Sequence, residues 1–300
     1  MQTSFCSSAL SGLRWLLLLC AVAVGGAAMA TVDPVATLRA KYTALEPQLR
    51  QNQFRQPLVL DSVETPNRLT GDIYAVVAHP FDAVSSGLNS PDHWCDVMLL
   101  HINSKYCRAL VAPAGTTLHV HIGKKTPEAL SIAPRFDFSY RLASLSPEYL
   151  DIVLKAKDGP LGTSDYLIEL EAVALPNGKT FLHLTYSYAF NFAGRLALQT
   201  YLATLASAKV GFTVVGQLPD GQAEYIGGMR GLLERNTMRY YLAIDTYLDA
   251  TSAAPPVQLE QRLQAWFTAT ERYPRQLHEI DRAAYLEMKR AEDLRQRTVQ

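Results

Sequence analysis

Few residues of this 300-residue chain stand at spacings that do chemistry, and each has a plain structural alternative. His119-Val120-His121 sets two imidazoles on one side of an extended segment, a spacing that metal sites use. No third ligand follows at a helpful interval. The alternation of Leu118, Val120 and Ile122 also puts the two histidines on a polar outer face, so no metal is expected. Asp92-His93 near Cys95 suggests a Cys–His nucleophile, but oxidation of Cys95 would remove its thiol. Gly227-Gly228-Met229-Arg230-Gly231 lacks the strand and lysine of a phosphate loop and reads as a hinge or helix entry. Neither G-x-S-x-G nor H-E-x-x-H occurs, so no catalytic residue and no cofactor is assigned. Arg239, beside Tyr240 and Tyr241, could anchor a ligand carboxylate or phosphate, although a surface ion pair is the expectation.

The cysteines and tyrosines say more. Cys6 and Cys20 fall in an N-terminal leader, which leaves Cys95 and Cys107. In an oxidising compartment an isolated pair reads first as a disulfide, and closing this short loop is worth roughly 2–3 kcal/mol. Two buried thiols or a redox pair are the alternatives, and there is no C-x-x-C. Fifteen tyrosines are present, several of them on strand positions that share one face. They can pack a core, or line a cavity and orient a polar head group.

Those residues need elements to hold them. Period-2 alternation runs through 135–142, 149–156, 166–172 and 181–190, with Phe136, Phe138, Tyr140, Ile152, Tyr166, Ile168, Leu184, Tyr186 and Tyr188 on the apolar side. The turns between them carry Ser146-Pro147, Asp158-Gly159-Pro160 and Pro176-Asn177-Gly178. After Asn191 the period becomes helical, with Leu196, Leu198, Tyr201, Leu202 and Leu205 in register. That helix is expected to close the greasy face of the sheet. Upstream, Asp33-Pro34 starts a helix, 57–64 and 69–78 read as strands, and His79-Pro80 opens a short helix before the Asp92 to Asp96 block. Strands over 106–111 and 117–122 complete the set.

Residues 1–30 have the form of a signal peptide, with Arg14, an apolar core from Trp15 to Val24, and cleavage after Ala30. Leu19 is not the small residue expected before a lipidated cysteine at Cys20. A periplasmic or secreted protein follows, with no transmembrane segment in the mature chain. Positive and negative side chains number 28 each, which argues against nucleic acid as a partner. The expected organisation is an N-terminal helix over 31–56, a main domain over 57–210 and a helical extension over 211–300. Within that extension 225–288 is a candidate surface for a protein partner, and the charged run Lys289 to Asp293 is expected to fray.

The order of elements resembles the START-like, SRPBCC or helix-grip superfamily of lipid-transfer and polyketide-cyclase-like proteins. The likeness covers about 69–210 and is carried by Gly71 to Val77, His79-Pro80-Phe81, Trp94, Asp158-Gly159-Pro160, Gly162-Thr163, the Tyr186/Tyr188 strand and the Arg195 to Val210 helix. It implies an α+β fold in which a curved, seven-stranded antiparallel sheet grips a long helix around a ligand cavity. The expected cavity residues are Phe138, Tyr140, Ile152, Tyr166, Ile168, Leu184, Tyr186, Tyr188 and Tyr201. The expected function is non-catalytic binding or transport of a lipid-like or other hydrophobic small molecule. An exported structural or interaction protein with a solid core is one alternative, and a cyclase- or hydratase-like enzyme using the same cavity is another.

Overall fold

A computed structural model describes residues 33–204, 208–251 and 254–298. The leader and its cleavage point, and Leu205 of the helical stripe, lie outside the described residues. Eight strands form one antiparallel sheet: β1 (Leu58–Glu64), β2 (Arg68–Val77), β3 (Ser104–Ala112), β4 (Gly115–Ile122), β5 (Arg135–Leu145), β6 (Tyr149–Asp158), β7 (Thr163–Ala174) and β8 (Thr180–Phe190). Their spatial order is β1-β2-β8-β7-β6-β5-β4-β3. The chain therefore leaves β2, crosses to the far edge, and returns as a six-strand meander until β8 pairs with β2. Register shifts between Ser104 and Tyr106, Leu142 and Ser144, and Ser164 and Leu167 bend the strands and give the sheet its curvature. The eighth strand, one more than the likeness implied, is the outer edge β1, paired with β2 along its whole length.

Two helices, α2 (Phe81–Leu88) and α3 (Pro91–Leu100), fill the crossing between β2 and β3. Trp94 is fully buried there, its indole N–H donating to the Leu88 carbonyl at 2.9 Å. On the outer face α1 (Pro34–Arg50) lays Leu38, Leu45 and Leu49 against Tyr149, Val173 and Phe181. Beside this contact His183 bridges Asp72 and Glu171, at 2.9 Å to each.

The helix gripped by the sheet is not the one expected. α4 (Phe192–Thr204) buries only Gly194 and Leu202 and exposes Phe192 and Leu196. The sheet instead closes on α5 (Gly228–Asp249), which packs on β1, β2 and β8 and is buried along most of its length. The sequence does show a helix over 225–248 with Leu233, Tyr240, Tyr241, Ile244 and Leu248 on one side, but such a stripe does not tell which partner it packs against. Gly71 on β2 permits the close approach, since a Cβ there would meet Thr237 Oγ1 at 2.5 Å and Leu233 at 3.3 Å. At the helix entry, Gly228 adopts a left-handed φ of 62°, a conformation that favours glycine.

The remainder is a small hairpin, β9 (Val214–Gln217) and β10 (Ala223–Tyr225), and helices α6 (Pro255–Thr270), α7 (Pro274–Leu277) and α8 (Arg282–Thr298). The described residues from Pro34 onward belong to one compact unit. Within 225–288, Leu233, Tyr241, Leu263, Trp266 and Tyr285 belong to the main core, while Val257 is exposed. The run from Lys289 does not fray. Lys289 is buried and donates to the carbonyls of His101 and Ser104 at 2.7 and 2.8 Å. Glu292 pairs with Lys289 at 2.8 Å and Lys105 at 3.0 Å, so charge pairing bolts α8 to the α3–β3 corner. Among the described residues, no helix is long and apolar enough to cross a membrane.

Candidate functional site

Between the inner face of the sheet and helices α4 and α5 lies a partly open cleft of about 220 Å³. One part of its lining is a run of rings. Tyr166 meets Phe136 edge-on at 5.4 Å and stacks on Tyr188 at 5.2 Å, and Tyr186 touches both Tyr188 and Tyr240. Leu198 and Tyr201 on α4 form the opposite wall. Burial raises the hydroxyls of Tyr166, Tyr186, Tyr188 and Tyr240 above their ordinary range, so they stay protonated. Tyr166 donates to Thr163 Oγ1 at 2.8 Å.

The rings lead to a polar group of different origin. His101 lies 4.7 Å from Tyr240, and Arg239, Lys125, Asn236 and Asn103 complete this part of the lining. Each is held from behind. His101 ends α3 inside the loop closed by Cys95 and Cys107, whose Cα atoms are 5.1 Å apart in a disulfide. The Asn103 amide donates to His101 Nδ1, which leaves the ring proton on Nε2. That Nε2 is buried and has no protein partner. Burial, then the positive charges of Arg239, Lys289, Lys125 and Lys105, hold His101 well below the usual histidine range and keep it neutral.

Arg239 is 1% exposed and ion-pairs with Glu279 at 2.6 Å. Its second nitrogen donates to Asn236 at 3.1 Å, and its Nε has no partner. The expected surface pairing is thus an interior one, because α5 is the gripped helix. Lys125 also reaches Glu279 at 2.6 Å, and Lys209 lies 3.8 Å from the same carboxylate. Burial and the neighbouring Arg239 pull Lys125 down to about 8, despite Glu279. Against its own burial, Glu279 is held below the usual carboxylate range by Arg239, Lys125 and Lys209. No carboxylate is among the lining residues of the cleft.

Five of the nine expected cavity residues, Phe138, Tyr166, Tyr186, Tyr188 and Tyr201, line this cleft. Ile152, Ile168 and Leu184 face inward too but are at most 1% exposed within the main core. Tyr140 is half-buried outside the lining, and its hydroxyl lacks a partner. Alternation tells which face a side chain takes, not how far along the strand the packed helices leave space. His101, Asn103, Lys125, Asn236 and Tyr240 were not singled out for the cavity by sequence. The available signal was the position of His101 and Asn103 between two paired cysteines.

The remaining candidates are structural. His119 pairs with Asp137 across β4 and β5, and His121 bonds the Ala133 carbonyl at 2.9 Å. Among the described residues no group of three or more metal-binding side chains occurs. His93 packs near Tyr247, and Cys95 is oxidised. A larger groove of about 610 Å³ lies outside the sheet–helix interior, between Gln53–Gln56 and Tyr273–Gln276. Its lining contains none of the unpartnered buried donors found in the cleft.

The strand order, the curved antiparallel sheet and the helix packed across it make this an α+β helix-grip arrangement. No protein-family model and no curated protein matches the sequence. Among solved structures, the chain is similar to an aromatase/cyclase from a Streptomyces species, with 18% identity, 63% of this chain and 92% of that one covered, and a TM-score of 0.36. Human StAR-related lipid transfer protein 5 gives 10% identity over 72% of this chain and 96% of that one, with a TM-score of 0.35. A truncated norcoclaurine synthase from Thalictrum flavum gives 14% identity over 48% and 92%, with a TM-score of 0.33.

Proposed function

We propose that this protein binds one small hydrophobic molecule in the cleft between β5, β7, β8, α4 and α5, and acts as a binding or carrier protein of the periplasm. The observation that carries the reading is a ring-lined hollow whose lining also holds His101 and Arg239, each with a buried donor that has no protein partner. At about 220 Å³ it falls below the roughly 300–1,000 Å³ of pockets for drug-sized ligands, so it suits a compact, ring-sized body better than a two-chain lipid. The buried disulfide agrees with an oxidising compartment.

Native mass spectrometry of protein prepared from the periplasm tests this, with an adduct of a few hundred daltons expected. Leu198→Trp, which fills the cleft from the α4 side, should abolish the adduct while leaving the thermal midpoint near that of the parent. An empty protein that also fails to bind any apolar aromatic probe overturns the reading.

One observation favours a catalytic use of the same cleft. A neutral imidazole with a free N–H can polarise a ligand carbonyl without donating net charge. Turnover of a bound compound that His101→Gln removes without lowering affinity would establish that alternative.

A further inference from the structure

We propose that the molecule held in the cleft carries a carboxylate, received by Arg239, Lys125 and the Nε2–H of His101. The inference rests on the reading of the cleft as a ligand site and adds the charge of what enters it.

Charge balance is the first argument. Three cations, Arg239, Lys125 and Lys209, converge on the single carboxylate of Glu279, and Arg235 stands close enough to Arg239 for the two to repel. Glu279 is not part of the cleft wall, whereas Arg239 and Lys125 are. The wall therefore presents uncompensated positive charge in an interior where water screens poorly. Such a surplus is costly unless an anion joins it.

Donor geometry is the second. Arg239 has five N–H donors, of which one bonds Glu279 and one Asn236, while its Nε is buried without a partner. His101 offers another unpartnered buried donor, fixed as such by the Asn103 amide on its other nitrogen. Both residues line the same cleft. Donors with no acceptor on two residues of one cleft call for a group that accepts only, and a carboxylate has about four lone-pair sites for them. An ammonium or an amine would meet N–H groups and like charge.

Position is the third. The donors follow Tyr240 at the end of the ring run, so a planar apolar body can lie against Tyr166, Tyr186 and Tyr188 while its acid end reaches Arg239. An aromatic carboxylate of two fused rings fits this division.

Calorimetric titration of the whole protein with naphthoate and with naphthamide tests the idea, since the two probes share a ring and differ in charge. Naphthoate should bind at least about ten-fold tighter, as expected for charged over neutral hydrogen bonds. Lys125→Gln and His101→Gln should each weaken naphthoate more than naphthamide, so that the preference shrinks. Equal binding of the two probes, or a preference for the amide, overturns the carboxylate assignment and leaves the cleft reading standing. If neither probe binds, the cleft reading falls and this inference falls with it. Should His101→Gln fail to fold, Lys125→Gln decides, because the Lys125 side chain is 22% exposed and its replacement leaves no buried void.

Discussion

Arg239 on α5 and Glu279 between α7 and α8 form a buried ion pair at 2.6 Å, yet the pair does not close the charge account around it. Glu279 also answers Lys125 and Lys209. The gripped helix and the C-terminal segment are therefore joined by a contact that leaves positive charge over, and that surplus faces the cleft.

Glu279→Gln should destabilise the protein by roughly 3–5 kcal/mol, because it leaves buried cations without their counter-charge. Chemical denaturation measures the loss. The same variant should recover part of it when naphthoate is added, since the ligand carboxylate takes over the missing role. Naphthamide should restore nothing. A stability unchanged from the parent would show that Arg239 and Lys125 find other partners.

Lys125 sets a pH window for anion binding. It faces Glu279, Arg239 and Arg235, and it loses its proton near 8 in the free protein. Below that value it is charged and naphthoate affinity is full. As pH rises past about 8 the free protein must take up a proton to bind, so affinity falls by up to ten-fold per pH unit until the pKa of the bound state is reached. His101 stays neutral and the cleft tyrosines stay protonated over this range. Titrations between pH 7 and 9.5 in buffers of different ionisation heat should show proton uptake above pH 8, and Lys125→Gln should lose it.

On the far side of the sheet His183 makes a separate pH signature. Burial alone would lower it, but Asp72 and Glu171 prevail and raise it to about 9. Both carboxyls are correspondingly lowered. A folded value above the ordinary 6.5 stabilises fully below about pH 6.5 and is lost as pH climbs through 9. At about 1.4 kcal/mol per pH unit the contribution is on the order of 3 kcal/mol at most. His183→Gln should remove that decline between pH 6.5 and 9. Comparing the variant with the parent isolates it from Lys125, whose depressed value acts in the opposite direction.

How far the sequence spoke for itself depends on the kind of information each element holds. The meander strands announced themselves because alternation in a one-sided sheet is set locally, and observed strand ends differ from those expected by only a few residues. The gripped helix was legible as a helix over 225–248, but its place against the sheet was not. An apolar stripe marks a helix with one wet face, whereas α5 buries Glu234, Arg235 and Arg239 on faces that look polar in one dimension. Glu234 is satisfied by the Phe212 and Thr213 amides and the Ser62 hydroxyl, and Arg239 is paired with Glu279, partners that only the tertiary fold brings near. For the same reason the tyrosines of the cleft were legible, while of its polar end only Arg239 stood out in the sequence, and as an expected surface pair. Lys289 illustrates the cost of reading charge as exposure: the carbonyls it donates to, of His101 and Ser104, lie 188 and 185 residues away in the chain.

The disulfide links these two lessons, because the residues it encloses include the donor at the end of the cleft. Cys95 on α3 and Cys107 on β3 span twelve positions, and His101, Asn103 and Lys105 all lie between them. Replacing both cysteines by alanine should cost about 3 kcal/mol from loop closure, read as a lower midpoint in urea. The sharper expectation concerns binding. Lys289 and Glu292 still hold the corner through His101 O and Lys105, so the variant keeps its fold at moderate temperature. Its His101 ring, freed to sample other orientations, should then cost naphthoate several-fold in affinity and naphthamide less. Equal loss for both probes would mean that the disulfide shapes the whole hollow and not the donor alone.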